Sequence, residues 1–287
     1  MRECSDCPKC DAQIDWWMER CPVCSYDAGS PNKREIDTPE ERSALERRYS
    51  GAMQAAENRG ARARVEAFGA EVRDRSRAVI NLWPSLLSDF LCVGRPLYSN
   101  YTLQVRAEIR KPAAPRHDRE RWGTEGILFG AYAHEIRYGA LSLNANGLTS
   151  YGSCSITIAN LTASARATVL EENSYVFVHR HVLLPGKDIP AGHRALWGDR
   201  DKLAVAKLAK RIHRGTADTL FPRILLYSDG DRARDEFLEV HFYGFFDRQS
   251  VETVSGPKPE TAAPKERPDL ERIRDGARRE GKAWIER

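Results

Sequence analysis

The order of apolar and polar positions changes character several times along the chain. Leu45, Tyr49, Met53 and Ala56 recur at 3- and 4-residue steps, and Val65, Phe68, Val72 and Val79 continue the stripe with one longer gap. That period predicts a long amphipathic helix from Thr38 to about residue 80, broken near Gly60. Thr38-Pro39-Glu40-Glu41 opens it as a capping box with proline at the first helical position. Trp83-Pro84 ends it, and SLLSDFL reads as a short helix.

From about residue 98 alternation takes over. YTLQVRAEI (101–109) and SCSITI (153–158) read as strands, with another around Tyr175 to His179. A loop runs from 109 to about 124, AYAHEIRYGALSL fits helix or strand, and NANG (144–147) marks a turn. DRDKLAVAKLAKRIHRG is helical up to Gly215. FPRILLYS (221–228), the turn DGD and EFLEVHFYG (236–244) read as a β-hairpin, and SVETV as a last short element. Beyond Ser255 a Pro/Lys/Glu-rich linker leads to a charged helix, PDLERIRDGARREGKAWIE. It reads as a mobile tail with Leu270, Ile273 and Trp284 as docking points. The expected class is α+β, a mainly β body with a few helices.

Composition narrows this only a little. Hydrophobic residues at 41% support a core, and 30% charged residues leave room for solvated helices. The net charge of +4 is modest, but arginine supplies most of the positive charge, which favours bidentate contacts to phosphates and carboxylates. No stretch approaches the roughly 18 apolar residues of a membrane span, and MRECSDCPKC lacks the apolar core of a signal peptide. With no disulfide framework evident among the seven cysteines, the expected location is the cytoplasm, away from membranes.

The most specific chemistry is CPKCDAQIDWWMERCPVC (7–24), two CPxC units. Each presents two thiolates from one tight loop, and Cys7, Cys10, Cys21 and Cys24 together complete a tetrahedral metal site. Zinc is the expected ion, with iron or a pair of disulfides as the alternatives. Cys4, three residues before Cys7, offers a competing pair without the repeated proline. The stretch resembles the zinc-ribbon and rubredoxin-knuckle family, departing from it at Asp11 and Ser25, where glycine commonly follows the second cysteine. Four thiolates leave no open coordination position, so this zinc is structural. Ile14, Trp16 and Trp17 are placed to cover it, or the tryptophans to form a binding surface. The expected organisation is a ribbon (1–30), a linker (25–37), a long helix (38–82), an α+β domain (83–254), and a linker with charged helix (255–287). The long helix is also a possible coiled-coil seam for a homo-oligomer.

Catalytic motifs are sparse. There is no Walker loop, GxGxxG, HExxH or GxSxG, and no paired acidic cluster for a magnesium nuclease. His179 and His181 form an HxH across the expected strand, without a third ligand nearby in sequence. Tyr151-Gly152 opens a strand, Arg166-Ala167-Thr168 precedes the next, and Glu239 lies in a late strand followed by GFFDRQSVETV. This order, over about residues 95 to 255, is similar to that of ADP-ribosyltransferases, particularly toxins that modify DNA. The resemblance implies NAD as cofactor, Glu239 as the catalytic carboxylate on a ribose hydroxyl, Arg166 on the pyrophosphate, and Tyr151 and Tyr175 stacking on nicotinamide. It also implies a nucleic-acid or protein substrate, with the ribbon as targeting module. Each residue has an ordinary alternative: Glu239 paired with an arginine, Arg166 on the surface, Tyr151 as a turn-and-core tyrosine. The competing function is a non-enzymatic scaffold that binds nucleic acid or protein.

Overall fold

The computed structural model describes residues 4–92, 97–108, 110–112 and 114–287. At the N-terminus β1 (Cys4–Asp6) and β2 (Gln13–Asp15) form an antiparallel hairpin. The expected linker is only partly free, because it contains α1 (Pro31–Arg34), which is seated on the body. There the buried Asn32 donates from Nδ2 to Thr168 Oγ1 and to the carbonyls of Arg166 and His241.

The expected long helix is two helices and a strand: α2 (Pro39–Asn58), α3 (Arg62–Arg75) and β3 (Arg77–Leu82). Thr38 caps α2 as its sequence requires, its hydroxyl accepting from the Glu41 amide at 3.2 Å. The break falls at residues 59–61, where Gly60 takes a φ of +65°. Val79 therefore sits in a strand, flanked by buried Ala78 and Ile80. Two faces covered by protein leave no alternation to read.

The chain continues through α4 (Pro84–Cys92), β4 (Leu97–Tyr98), α5 (Tyr101–Arg106) and α6 (Pro115–Phe129). YTLQVRAEI is thus helical rather than extended up to Arg106; its last residue, 109, lies outside the described residues, as does 113 in the expected loop. Next come β5 (Ile136–Ser142), β6 (Cys154–Ile158), α7 (Asn160–Arg166), β7 (Ala167–Leu170) and α8 (Ser174–Arg180). The strand expected around Tyr175 to His179 is α8, because the Asn173 side chain accepts from the amides of Tyr175 and Val176 and starts a helix. Then follow β8 (Arg194–Leu196), α9 (Arg200–Leu208) and α10 (Phe221–Leu225). The first arm of the expected hairpin is the helix α10, started by Pro222, and only the Tyr227–Glu236 bridge remains of the pairing. The last elements are β9 (Glu239–Tyr243), β10 (Phe246–Asp247), β11 (Val251–Gly256), α11 (Arg267–Arg279) and β12 (Ala283–Glu286).

Eight strands form the main sheet in the order β12-β11-β6-β3-β5-β9-β7-β8, antiparallel except for the parallel β11–β12 pair. The class is α+β, but with helices far more numerous than the mainly β body expected. The sheet draws β3 and β12 from segments the sequence set apart from the body. The C-terminal segment is docked, in contrast to the expected mobile tail: Leu270 and Ile273 are fully buried, α11 packs along α4, and Trp284 lies against the core. Among the described residues no helix is long and apolar enough to cross a membrane.

Candidate metal centre and carboxylate cluster

The two CPxC loops meet across the N-terminal hairpin. Cys7 Sγ lies 3.6 Å from Cys24 Sγ, and Cys10 Sγ 3.6 Å from Cys21 Sγ. A tetrahedron of sulfurs at the zinc–thiolate bond length has edges of roughly 3.8 Å, whereas a disulfide needs about 2.0 Å. The four sulfurs lie mutually within metal-binding reach, and Cys4 does not join them. The donor set fits zinc and leaves no position for a substrate. Backbone amides, that of Cys24 first and then that of Val23, lower the Cys21 thiol, while against the Ala12 amide its thiol neighbours raise that of Cys10. In each loop an amide closes back on the first cysteine's carbonyl: Asp11 on Cys7 at 2.9 Å and Ser25 on Cys21 at 3.0 Å. Asp11 and Ser25 reach that bond only with positive φ, 58° and 57°. These are the two positions where the ribbon pattern has glycine, and here the left-handed geometry is met by residues that carry a Cβ. Asp11→Gly and Ser25→Gly are each expected to stabilise the loaded ribbon by about 1 kcal/mol, seen as an up to roughly 5-fold tighter zinc affinity in chelator competition.

Ile14 is buried with Cys7 and Cys21, while Trp16 turns to the body and meets His134 edge-on at 5.7 Å. Trp17 stays exposed. Arg34 of α1 fastens the ribbon, donating to the carbonyls of Met18 (2.5 Å), Gly29 (2.8 Å) and Asp15 (3.1 Å).

The second cluster is built around Glu239, the first residue of β9. Its Oε2 accepts from the Ser174 amide (2.8 Å), the Ser174 hydroxyl and His241 Nε2 (3.0 Å). Among the described residues Oε1 meets only Asn173 Nδ2, at 3.3 Å, so it keeps lone-pair capacity for a ligand hydroxyl. The strand period explains the pair: Glu239 and His241 are two residues apart and share one face of β9. Phe129 and Tyr138 pack edge-on against the His241 ring at 4.9 and 5.4 Å and hold its plane.

Around Glu239 lie groups the sequence did not single out. Burial, aided by the Glu239 charge and opposed by Arg121, raises the Glu125 carboxyl to about 7. Burial also raises the Tyr151 and Tyr138 phenols, which both feel the charge of Glu239. Arg232 covers the Tyr151 ring at 4.4 Å, and Arg110 and Arg121 each lie 4.8 Å from the Tyr101 ring. Tyr175, at the start of α8, is exposed beside Ser174 and packs on His179 at 4.2 Å. Of the tyrosines read from the sequence, Tyr151 feels the Glu239 charge, while Tyr175 follows the Ser174 that binds the carboxylate and turns its ring to His179. Arg166 is elsewhere: Glu239 pairs with Leu170, the last residue of β7, whereas Arg166 ends α7 before the other end of that strand. Its guanidinium donates to the Phe245 carbonyl at 2.6 Å. The Tyr-Gly dipeptide has a packing reason as well. Gly152 has φ +153°, and a Cβ there would fall 2.2 Å from the Leu82 carbonyl carbon. Nothing in the local sequence pattern marks Ser174, His241 or Glu125, since they meet through pairing across β5, β7 and β9 and the packing of α6.

The raised Glu125 carboxyl has a consequence for stability. Because its folded value lies above the ordinary 4.5, its contribution is full below about pH 4.5 and is lost as pH rises through 7. Glu125→Gln is therefore expected to gain up to about 3 kcal/mol over wild type at pH 8, with the gain vanishing toward pH 4.5 in urea titrations at the two pH values.

No protein-family model matches the chain, and no curated protein is significantly similar to it.

Proposed function

We propose that the chain is a zinc-ribbon protein whose main domain carries out ADP-ribosyl transfer from NAD to a nucleic acid or protein. The observation that carries this reading is Glu239: a carboxylate at the start of an interior strand, fixed through Oε2 by three donors, with Oε1 open to a ligand hydroxyl. Such a group can orient a ribose hydroxyl and stabilise positive charge developing on the adjoining carbon. NAD supplies the ribosyl group with nicotinamide as leaving group. Exposed Tyr175 offers a ring face for the nicotinamide, and Tyr151 has one face left to stack beyond the one Arg232 covers. Arg121 and Arg232, rather than Arg166, are the cations that act on Tyr151, as Glu239 does, and they suit a pyrophosphate. In this reading the four-cysteine zinc is structural and the protein is cytoplasmic; the α2–α3 stripe expected as a coiled-coil seam is instead buried in the chain's own core. Incubating the purified protein with NAD and single-stranded DNA, duplex DNA or a protein mixture tests it. Nicotinamide release with label transfer to one substrate is expected, and no release with any of them overturns the proposal.

One observation favours the scaffold reading: Trp17, Val23 and Tyr26 of the ribbon are exposed apolar residues in a module whose metal cannot react. If that surface carries nucleic-acid recognition, Trp17→Ala is expected to weaken single-stranded DNA binding by about 1–3 kcal/mol in fluorescence anisotropy, the worth of one stacked base.

A further inference from the structure

A second group of metal-ligand side chains lies outside both clusters described above. Glu171 follows β7, His193 directly precedes β8 and His181 directly follows α8. One carboxylate oxygen and one ring nitrogen from each histidine lie within 4.8 Å of one another. The β7–β8 ladder fixes two of them, since the Glu171 amide donates to the His193 carbonyl at 3.1 Å. His193 Nδ1 is 2.7 Å from Glu171 Oε1. The two imidazoles meet edge-on at 4.9 Å, and the Phe177 ring backs both, at 4.4 Å from His181 and 5.8 Å from His193. His181 Nε2 is buried and meets no protein hydrogen-bond partner. A buried imidazole nitrogen without a partner, beside a carboxylate and a second imidazole, has the chemistry of a ligand awaiting an ion.

We propose that Glu171, His181 and His193 bind a divalent transition-metal ion of the zinc, cobalt or iron class. Two imidazoles and one carboxylate suit these borderline ions and are poor for calcium or magnesium. Arg48 does not compete for the site. It holds the other carboxylate oxygen, Oε2, at 2.6 Å, leaving Oε1 for the ion and fixing the carboxylate's orientation in the manner of an outer-shell partner. Both histidines are only partly buried, so unlike the four-thiolate site this one leaves coordination positions for water or a ligand. Its place in the fold gives it a further consequence. Glu171 and His181 flank α8 at its two ends, and the first turn of α8 holds Ser174 against Glu239. A bound ion fastens that helix and the carboxylate it positions. The HxH pair read from the sequence is not the site, because α8 sends exposed His179 to Tyr175 instead.

The test uses the full chain with its ribbon loaded with zinc, titrated with Co²⁺ or Zn²⁺. About one further equivalent is expected to bind, and the cobalt form should show d–d bands without thiolate charge transfer. His181→Gln and His193→Gln are each expected to weaken that equivalent by on the order of 10-fold or more while keeping the ribbon zinc and the wild-type far-UV spectrum. The added ion should also raise the melting temperature of wild type and not of the variants. No further uptake at about 100 μM metal, or uptake unchanged in both folded variants, overturns the proposal.

Discussion

Cys21→Ser is expected to strip the ribbon of zinc and unfold it while the body stays folded. A hydroxyl is a poor zinc ligand at neutral pH, and Cys21 is one of only two ligand thiols that the fold buries. The ribbon has little else to hold it: its core is Cys7, Ile14 and Cys21, with Ala12, Met18, Cys24 and Ala28 around them. Structural zinc in such modules contributes about 10–16 kcal/mol at neutral pH, far more than burial of one isoleucine returns. The loss should therefore be all or none for residues 4–29. The body should survive, because its sheet and helices share a separate core. What it loses is the fastening: the Arg34 bonds to Met18, Gly29 and Asp15, and the edge-on packing of Trp16 on His134. Metal analysis and tryptophan fluorescence check the first point and a chemical denaturation curve the second. Zinc retained at full stoichiometry with unchanged fluorescence would show that Cys21 is not a ligand.

Glu239→Gln is expected to lower nicotinamide release by about 100- to 1000-fold, the cost of removing one group that stabilises transition-state charge. The variant is close to isosteric, and its effect on stability should be small by comparison. A glutamine can keep its oxygen toward the Ser174 amide and hydroxyl, but its NH₂ then faces Asn173 Nδ2, donor against donor. That mismatch costs about 1–3 kcal/mol of stability. The two effects are separable: melting temperature reports the mismatch, and turnover of the still-folded variant reports the chemistry. A modest stability loss with unchanged nicotinamide release would remove Glu239 from the reaction. Ser174→Ala is the companion variant, since it loosens Oε2 while leaving the carboxylate charged.

The sequence by itself determined the features that rest on contacts within a few residues. The ribbon ligands were legible because two CPxC loops carry their own geometry, down to the left-handed positions at Asp11 and Ser25. The start of α2 at Thr38 and the break near Gly60 were legible for the same reason. The errors cluster where a single polar side chain outweighed the hydrophobic pattern. YTLQVR and SYVFVHR both alternate like strands, yet each follows an asparagine whose side chain accepts an amide of the first turn, from Leu103 and from Tyr175, and each is a helix. Two central strands hid in the opposite way, because β7 is buried throughout and β3 nearly so, and neither shows alternation. Glu239 could be picked out as a late-strand carboxylate, but its surroundings could not. Ser174, His241, and the α6 pair Glu125 and Arg121 come from three separate elements and meet only when β9 is laid between β5 and β7 under α6. Likewise, Arg166 sits in a suggestive place in the sequence, but it ends α7, ahead of the β7 end that does not face Glu239. Spacing fixes a site when its ligands share one loop; strand pairing decides when they come from distant parts of the chain.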